Sequence, residues 1–138
     1  MPHQIIEYSA NLESHMDIMA LLDCLHDTAI DIDGLPLGGL RTRAARREHY
    51  RIADRHPDNA FVHLTLKLGH GRSLETRKAF GEVIFAALCD FLEPVSSSSP
   101  LAISFEIQEI HAELTWKKNN LREYLERREG SNKGKQNV

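Results

Sequence analysis

The 138-residue sequence has few cysteines and no long apolar run. Its two cysteines, Cys24 and Cys89, lie outside any CxxC pair or metal-ligand spacing. We therefore expect reduced thiols and a cytoplasmic location. The start, Met-Pro-His-Gln-Ile-Ile-Glu, has neither the basic region nor the apolar run of a signal peptide, and no stretch approaches about 20 apolar residues. We expect neither export nor a membrane span.

Several catalytic and ligand-binding motifs are also missing. The sequence contains no Gly-x-Ser-x-Gly elbow, no His-Glu-x-x-His and no Gly-Lys-Ser/Thr, so serine-nucleophile, zinc-protease and P-loop chemistry are set aside. His63, His70 and His111 are more typical of solvated or hydrogen-bonded residues than of metal ligands. The formal net charge of -3 gives no overall attraction for nucleic acid. No metal, cofactor, nucleic-acid partner or membrane partner is predicted.

The second half of the chain reads strand, helix, strand. Apolar residues alternate with polar ones over Phe61 to Leu68 and again over Leu101 to Ile110, which is typical of strands with one buried face. Between them an apolar stripe recurs at helical spacing, with Ser73 as the expected N-cap and Pro94 with the following serines as the expected end. The stripe consists of Phe80, Val83, Ile84, Ala87, Leu88 and Phe91.

The first half repeats this order. Pro2 to Tyr8 is predicted as a strand, and a short strand is predicted around Leu40 to Ala44, followed by Arg46 and Arg47 in a solvated loop. Ser14 and Asp17 have the Ser-x-x-Asp spacing of a helix start. The helix stripe is Ile18, Leu21, Leu22, Leu25 and Ala29. The halves form a pseudo-repeat, 2–45 and 61–110.

Two fused βαβ units predict an α+β fold, a four-stranded sheet with two helices on one face. The other face needs a cover, which indicates a homo-oligomer. We expect one domain over 1–128, including a last helix from near Asn119 with Leu121, Tyr124 and Leu125 as apolar positions. The tail, 129–138, is expected to be disordered.

Pro2 is the first candidate for chemistry. A small second residue allows Met1 to be removed, which would leave a secondary amine at the start of a strand. The α-amino group has a reference pKa of about 7.7–8.0, against about 10.4 for lysine, so it needs little adjustment to act as a base near neutral pH. The alternative is a chance proline at a strand start.

Three arginines are candidates for binding anions. Arg41 and Arg43 are two residues apart and so share one side of a strand, and Arg72 lies where a strand turns into a helix. A guanidinium beside the backbone donors of a helix start suits a carboxylate or phosphate. Each could instead be an ordinary surface arginine.

These residues together resemble a known family, 5-carboxymethyl-2-hydroxymuconate isomerase. The resemblance runs from Pro2 to about Tyr124, and the second half alone also resembles 4-oxalocrotonate tautomerase, whose subunits open with proline. Only Pro2 can offer a free amine here, so one site per chain is expected. The matching segments are Met1-Pro2-His3, Leu37 to Arg43, Ala60 to Gly69, Gly71 to Arg77 and Leu101 to Ile107.

The resemblance implies a homotrimer that works without metal or cofactor on a carboxylate-rich substrate. It implies conversion of 5-carboxymethyl-2-hydroxymuconate to its 2-oxo isomer, in the breakdown of homoprotocatechuate and 4-hydroxyphenylacetate. Pro2 would move the proton, Arg41 and Arg72 would hold carboxylates, and Arg43 would assist. Trp116 is expected either in the pocket wall or packed in the core.

Other functions stay open at this point. The segment from Arg46 to Asn59 matches no family pattern and follows the arginine strand, so the substrate could differ. A related tautomerase acting on phenylpyruvate-like enols, or a dehalogenase of halogenated acrylates, would need the same proline. A non-catalytic trimeric binding module is the alternative from another class, because retention of Met1 would remove the base and leave the fold.

Overall fold

Seven helices and strands follow one another in two strand-helix-strand units and a final helix. The structure, a computed structural model, describes residues 1–136 of the chain. Short 3-10 turns at Ala10–Ser14 and Leu37–Gly39 join some of these elements. In chain order the elements are β1 (His3–Ser9), α1 (Ile18–Ile30), β2 (Arg41–Arg47), β3 (Ala60–Leu68), α2 (Leu74–Ser96), β4 (Leu101–Glu109) and α3 (Leu121–Gln136).

The four strands form one mixed sheet in the order β2-β1-β3-β4. Within each unit the two strands are parallel, as a helical crossover requires, whereas β1 and β3 meet antiparallel. The predicted α+β class and four-stranded sheet are confirmed. The antiparallel pairing matters for function because it sets the start of β1 beside the end of β3, with His3 opposite Lys67.

The core lies between the sheet and the two helices α1 and α2. Every second residue of β1 and β3 is buried on this side, as the alternation predicted. Each fully buried aliphatic side chain contributes about 1.5–3 kcal/mol by leaving water. The core includes Ile6, Val62, Leu64, Leu66 and Leu68 from the sheet, Leu21, Leu25 and Ala29 from α1, and Phe80, Ile84, Leu88, Leu92 and Val95 from α2.

The other face of the sheet carries polar side chains that are exposed or half-buried. Arg41 and Arg43 lie there, opposite His3 and Ile5 of β1. The face mixes both charges, since Arg47 pairs with Glu7 at 2.6 Å. Within residues 1–136 no helix is long and apolar enough to cross a membrane.

Two local expectations for the first half are wrong. Asp17, not Ser14, caps α1: its carboxylate accepts the Met19 N–H at 3.0 Å, and Ser14 ends the preceding 3-10 turn. Arg46 and Arg47 are in β2 and not in a loop, because their backbones pair with Tyr8 and Ser9 of β1. Ion pairs to Glu13 (3.2 Å) and to Glu48 also hold Arg46.

In the second half Ser73 caps α2, as predicted, by accepting the Thr76 N–H at 3.1 Å. Pro94 does not end the helix, which continues to Ser96. A proline in the last turn removes a single helical hydrogen bond. The hydroxyl of Ser98 then donates to the Pro94 carbonyl at 3.1 Å.

The chain end also departs from expectation. Helix α3 continues to Gln136, although we expected disorder over 129–138. Propagating a helix costs less than starting one, since each further residue adds a hydrogen bond. Residues 137 and 138 lie outside the described part, and the 1–128 domain limits stay a prediction.

Candidate active site

Pro2 is buried at the start of β1, at the end of the sheet where several cations meet. Its carbonyl accepts a hydrogen bond from the Arg41 N–H at 3.2 Å, which ties the first peptide to β2. Parallel pairing then sets His3 opposite Arg41. The topology therefore holds the N-terminus between β2 and β3, in the interior of the sheet order.

Arg41 and Arg43 share one strand face, as predicted, and both approach His3. A guanidinium nitrogen of Arg43 lies 3.1 Å from His3 Nδ1, and one of Arg41 lies 3.5 Å from His3 Nε2. The pKa of His3 is lowered, first by burial and then by the positive charges of Arg43, Arg41, the N-terminus and Lys67. Because the neighbours are cationic, a neutral imidazole and an anionic ligand are both favoured beside them.

Arg72 reaches the same region from the turn after β3. Gly71 adopts a φ of +114°, a conformation that side chains rarely allow, and this turns the chain toward the cap of α2. The Arg72 guanidinium donates to the Gly34 carbonyl at 2.8 Å and the Gly69 carbonyl at 3.4 Å, and it lies over the Phe80 ring at 5.8 Å. Part of its hydrogen-bonding capacity is therefore used within the chain.

The N-terminal amine in the structure belongs to Met1. Partial burial lowers its pKa, and Lys117, Arg72 and Arg41 lower it further, in that order. Cations disfavour the protonated form, so a free amine at this place is a better base near neutral pH than an exposed one. Gly39 packs closely here, since a β-carbon on it would lie 3.2 Å from the Met1 Cα.

A cavity of about 420 Å³ opens beside the N-terminus. Lys117, Asn119 and Arg122 line it, and sequence reasoning missed all three as site residues. They follow β4 and begin α3, more than a hundred positions from Pro2, and no spacing rule connects them to it. The full lining is Met1, Pro36, Gly38, Gly39, Lys117, Asn119, Arg122 and Glu123.

Trp116 and the segment 46–59 do not form this cavity. Trp116 is 85% exposed, so the expectation of core packing is wrong, and it is absent from the cavity wall. The segment 46–59 joins the far ends of β2 and β3, about 20 Å from Pro2 at about 3.3 Å per strand residue. Hydrogen bonds from Asn59 to Ile52 (3.1 Å) and Asp54 (2.8 Å) hold it together.

A metal site has no support in the described residues. Over 1–136, no group of three or more histidine, cysteine, aspartate or glutamate side chains could hold a metal ion. The arrangement that does exist is a half-buried amine, several cations and an adjacent cavity. It suits proton transfer on an anionic substrate.

The family model described as 5-carboxymethyl-2-hydroxymuconate isomerase matches residues 2–125. The chain belongs to this family. A curated relative, the 5-carboxymethyl-2-hydroxymuconate Delta-isomerase of Escherichia coli, is 39% identical over 121 residues, which cover 88% of this chain and 96% of that protein. The protein is thus an isomerase of the 5-carboxymethyl-2-hydroxymuconate isomerase family.

Solved structures agree with this assignment. A 5-carboxymethyl-2-hydroxymuconate isomerase from Deinococcus radiodurans R1 has a TM-score of 0.84 and 39% identity, covering 90% of this chain and 93% of its own. A more distant structure, a fused 4-OT symmetric trimer, has a TM-score of 0.56 at 17% identity, covering 78% and 85%. The second likeness concerns the fold alone.

Proposed function

We propose that this isomerase converts 5-carboxymethyl-2-hydroxymuconate to its 2-oxo isomer, with the Pro2 amine as general base after removal of Met1. The observation that carries the proposal is the N-terminus itself, which is partly buried and set among Arg41, Arg72 and Lys117. Family membership supplies the substrate. In cells the reaction would serve the breakdown of homoprotocatechuate and 4-hydroxyphenylacetate.

The reaction moves one proton and needs no oxidant or cofactor. Pro2 nitrogen takes the proton of the 2-hydroxyl, and the electrons of that O–H bond form the carbonyl. The double bonds shift along the chain, and the proton returns from nitrogen to C5. Because the same nitrogen accepts and then donates, a pKa near the working pH serves both steps.

The cations hold the substrate and stabilise its dienolate. The substrate carries three carboxylates, and arginine binds carboxylates in a bidentate geometry that fixes their orientation. Arg41 and Arg43, exposed on the open sheet face beside His3, can receive one of them. Arg72 donates to Gly34 and Gly69 and contributes its charge beside the amine.

A homotrimer and a cytoplasmic location belong to the same proposal. The face of the sheet opposite α1 and α2 has no covering layer within residues 1–136, and a distant structural relative forms a symmetric trimer. Cys24 and Cys89 are both unpaired, in keeping with a reducing compartment.

Mass spectrometry and turnover test the proposal together. We expect the purified protein to lack Met1 and to isomerise 5-carboxymethyl-2-hydroxymuconate in preference to phenylpyruvate and 3-chloroacrylates. Turnover is measured by ultraviolet absorbance in a buffer that contains a metal chelator. Retained Met1 without turnover would favour a binding module. Preference for phenylpyruvate or a chloroacrylate would replace the substrate and keep the base.

A further inference from the structure

The side chain of Met1 lies beside the cavity, and its sulfur contacts two N–H donors. Its sulfur lies 3.3 Å from Asn119 Nδ2 and 3.6 Å from an Arg41 guanidinium nitrogen. Thioether sulfur is a weak acceptor, so these donors gain little from it. Removal of Met1 would leave both donors facing a space next to the Pro2 nitrogen.

Asn119 is held in place by two other contacts. Its Nδ2 also donates to the Gly38 carbonyl at 2.8 Å, and its Oδ1 accepts the Leu121 N–H at 2.9 Å at the start of α3. Helix α3 packs against the Leu37–Gly39 turn, where a β-carbon on Gly38 would lie 3.6 Å from Arg122 Cβ. The wall of the cavity is therefore fixed to the turn that precedes β2.

Lys117 adds a positive charge to this wall. It lines the cavity, and among residues 1–129, whose side chains the structure describes, it forms neither an ion pair nor a side-chain hydrogen bond. Among the cations it has the largest effect on the pKa of the Met1 amine, after burial. An ammonium group without a partner in this part of the chain is available to an anionic ligand.

We propose that Lys117 and Asn119 bind the carboxymethyl carboxylate and thereby select a tricarboxylate over a dicarboxylate. The inference rests on the proposed function. C5 must lie against the Pro2 nitrogen to receive its proton, and the carboxymethyl group branches from C5. That branch therefore lies near the base, and the cavity of about 420 Å³ beside the N-terminus can accommodate it.

Steady-state kinetics on two substrates tests the selection. We expect Lys117→Met to raise KM for 5-carboxymethyl-2-hydroxymuconate about tenfold, the effect of losing one hydrogen bond to a charged group. At a pH above the acid limb of the rate profile, turnover of 2-hydroxymuconate, which lacks the branch, should change less than twofold. Lys118→Met is the matched control, because Lys118 is next to Lys117 in the sequence but does not line the cavity. This variant should have wild-type kinetics on both substrates.

Asn119→Asp provides a second variant that keeps the helix cap. Aspartate can still accept the Leu121 N–H, but it loses the amide donor and adds a repelling charge. We expect KM for the tricarboxylate to rise more than in Lys117→Met, and the thermal midpoint to fall because the donor to the Gly38 carbonyl is lost. Equal losses on both substrates in either variant, or wild-type kinetics, would overturn the inference.

Calorimetric binding separates this inference from the reaction. If wild type turns over neither muconate, the proposed function fails, and non-reactive ligands still test the subsite. Wild type and Lys118→Met should bind tricarballylate about tenfold more tightly than glutarate, and Lys117→Met should bind them alike. No difference between the two ligands in wild type would overturn the subsite.

Discussion

The two halves of the molecule share a topology and differ in the chemistry at their strand starts. Pro2 and Ala60 occupy equivalent places, because His3 pairs with Arg41 and Phe61 pairs with Ala102 in parallel registers. Both are buried. Only the first half has arginine in the adjacent strand.

The turns that reach each strand start differ in the same way. The antiparallel β1–β3 pairing brings the turn that carries Arg72 to Pro2, and it brings the turn after β1 to Ala60. There the Ser9 hydroxyl accepts the Phe61 N–H at 2.9 Å, and Asn11 donates to the Asn59 carbonyl at 2.8 Å. Cationic side chains surround the start of β1, whereas neutral groups that form hydrogen bonds surround the start of β3. A shared backbone therefore does not make a shared site.

Replacing the amine should have the largest effect. We expect Pro2→Ala to lower kcat/KM by about 100-fold or more, the usual contribution of a general base, because a primary amine replaces the secondary one. Ala60→Gly, at the equivalent start of β3, should keep wild-type turnover. Circular dichroism must show both folded, and full activity in Pro2→Ala would place the base elsewhere.

Removing an arginine of the first half should have the next largest effect. Arg41→Ala should lower kcat/KM roughly 10- to 100-fold, since it removes a charge-assisted contact to a carboxylate. Arg47→Ala is the control, because it lies on the same strand and face and pairs with Glu7. If both variants lose activity equally, the loss reflects the strand and not a binding site.

The pH profile tests the electrostatic difference between the halves. The base acts when deprotonated, so kcat/KM falls as pH drops through its pKa. Lys117 lowers the pKa of the Met1 amine, and we expect the same direction for the Pro2 amine one residue further along the chain. Lys117→Met should therefore move the acid limb of the profile to higher pH, by less than one unit for an exposed charge. Lys118→Met should leave the limb in place, and 0.5 M salt should shrink the shift.

The smallest effect is expected at the second strand start. Asn11→Ala removes donors to Pro57 (3.2 Å) and Asn59 (2.8 Å), which should cost about 1–2 kcal/mol in the free energy of unfolding. Urea denaturation measures this cost, and kcat/KM should be unchanged. Asn120→Ala, exposed before α3, should alter neither. A fall in kcat/KM would mean that this end of the sheet also serves the reaction.

Sequence patterns predicted the elements better than their contacts. Alternation identified β3 and β4, and period two correctly put Arg41 and Arg43 on one side. Neither indicates which strands pair between the halves, so the approach of the Arg72 turn to Pro2 was not predictable. The contacts of Arg72 with backbone carbonyls depend on chain segments that only folding brings together. The same is true of the position of Lys117 in the cavity wall.

The close contact between Gly39 and Met1 bears on where an affinity tag is best placed. A β-carbon on Gly39 would come within 3.2 Å of the Met1 Cα, so the first residue occupies a gap with little spare width. An affinity tag added before Met1 would block its removal and keep the Pro2 nitrogen as an amide. Preparations meant for kinetics should therefore carry their tag after α3, where added residues leave the amine free.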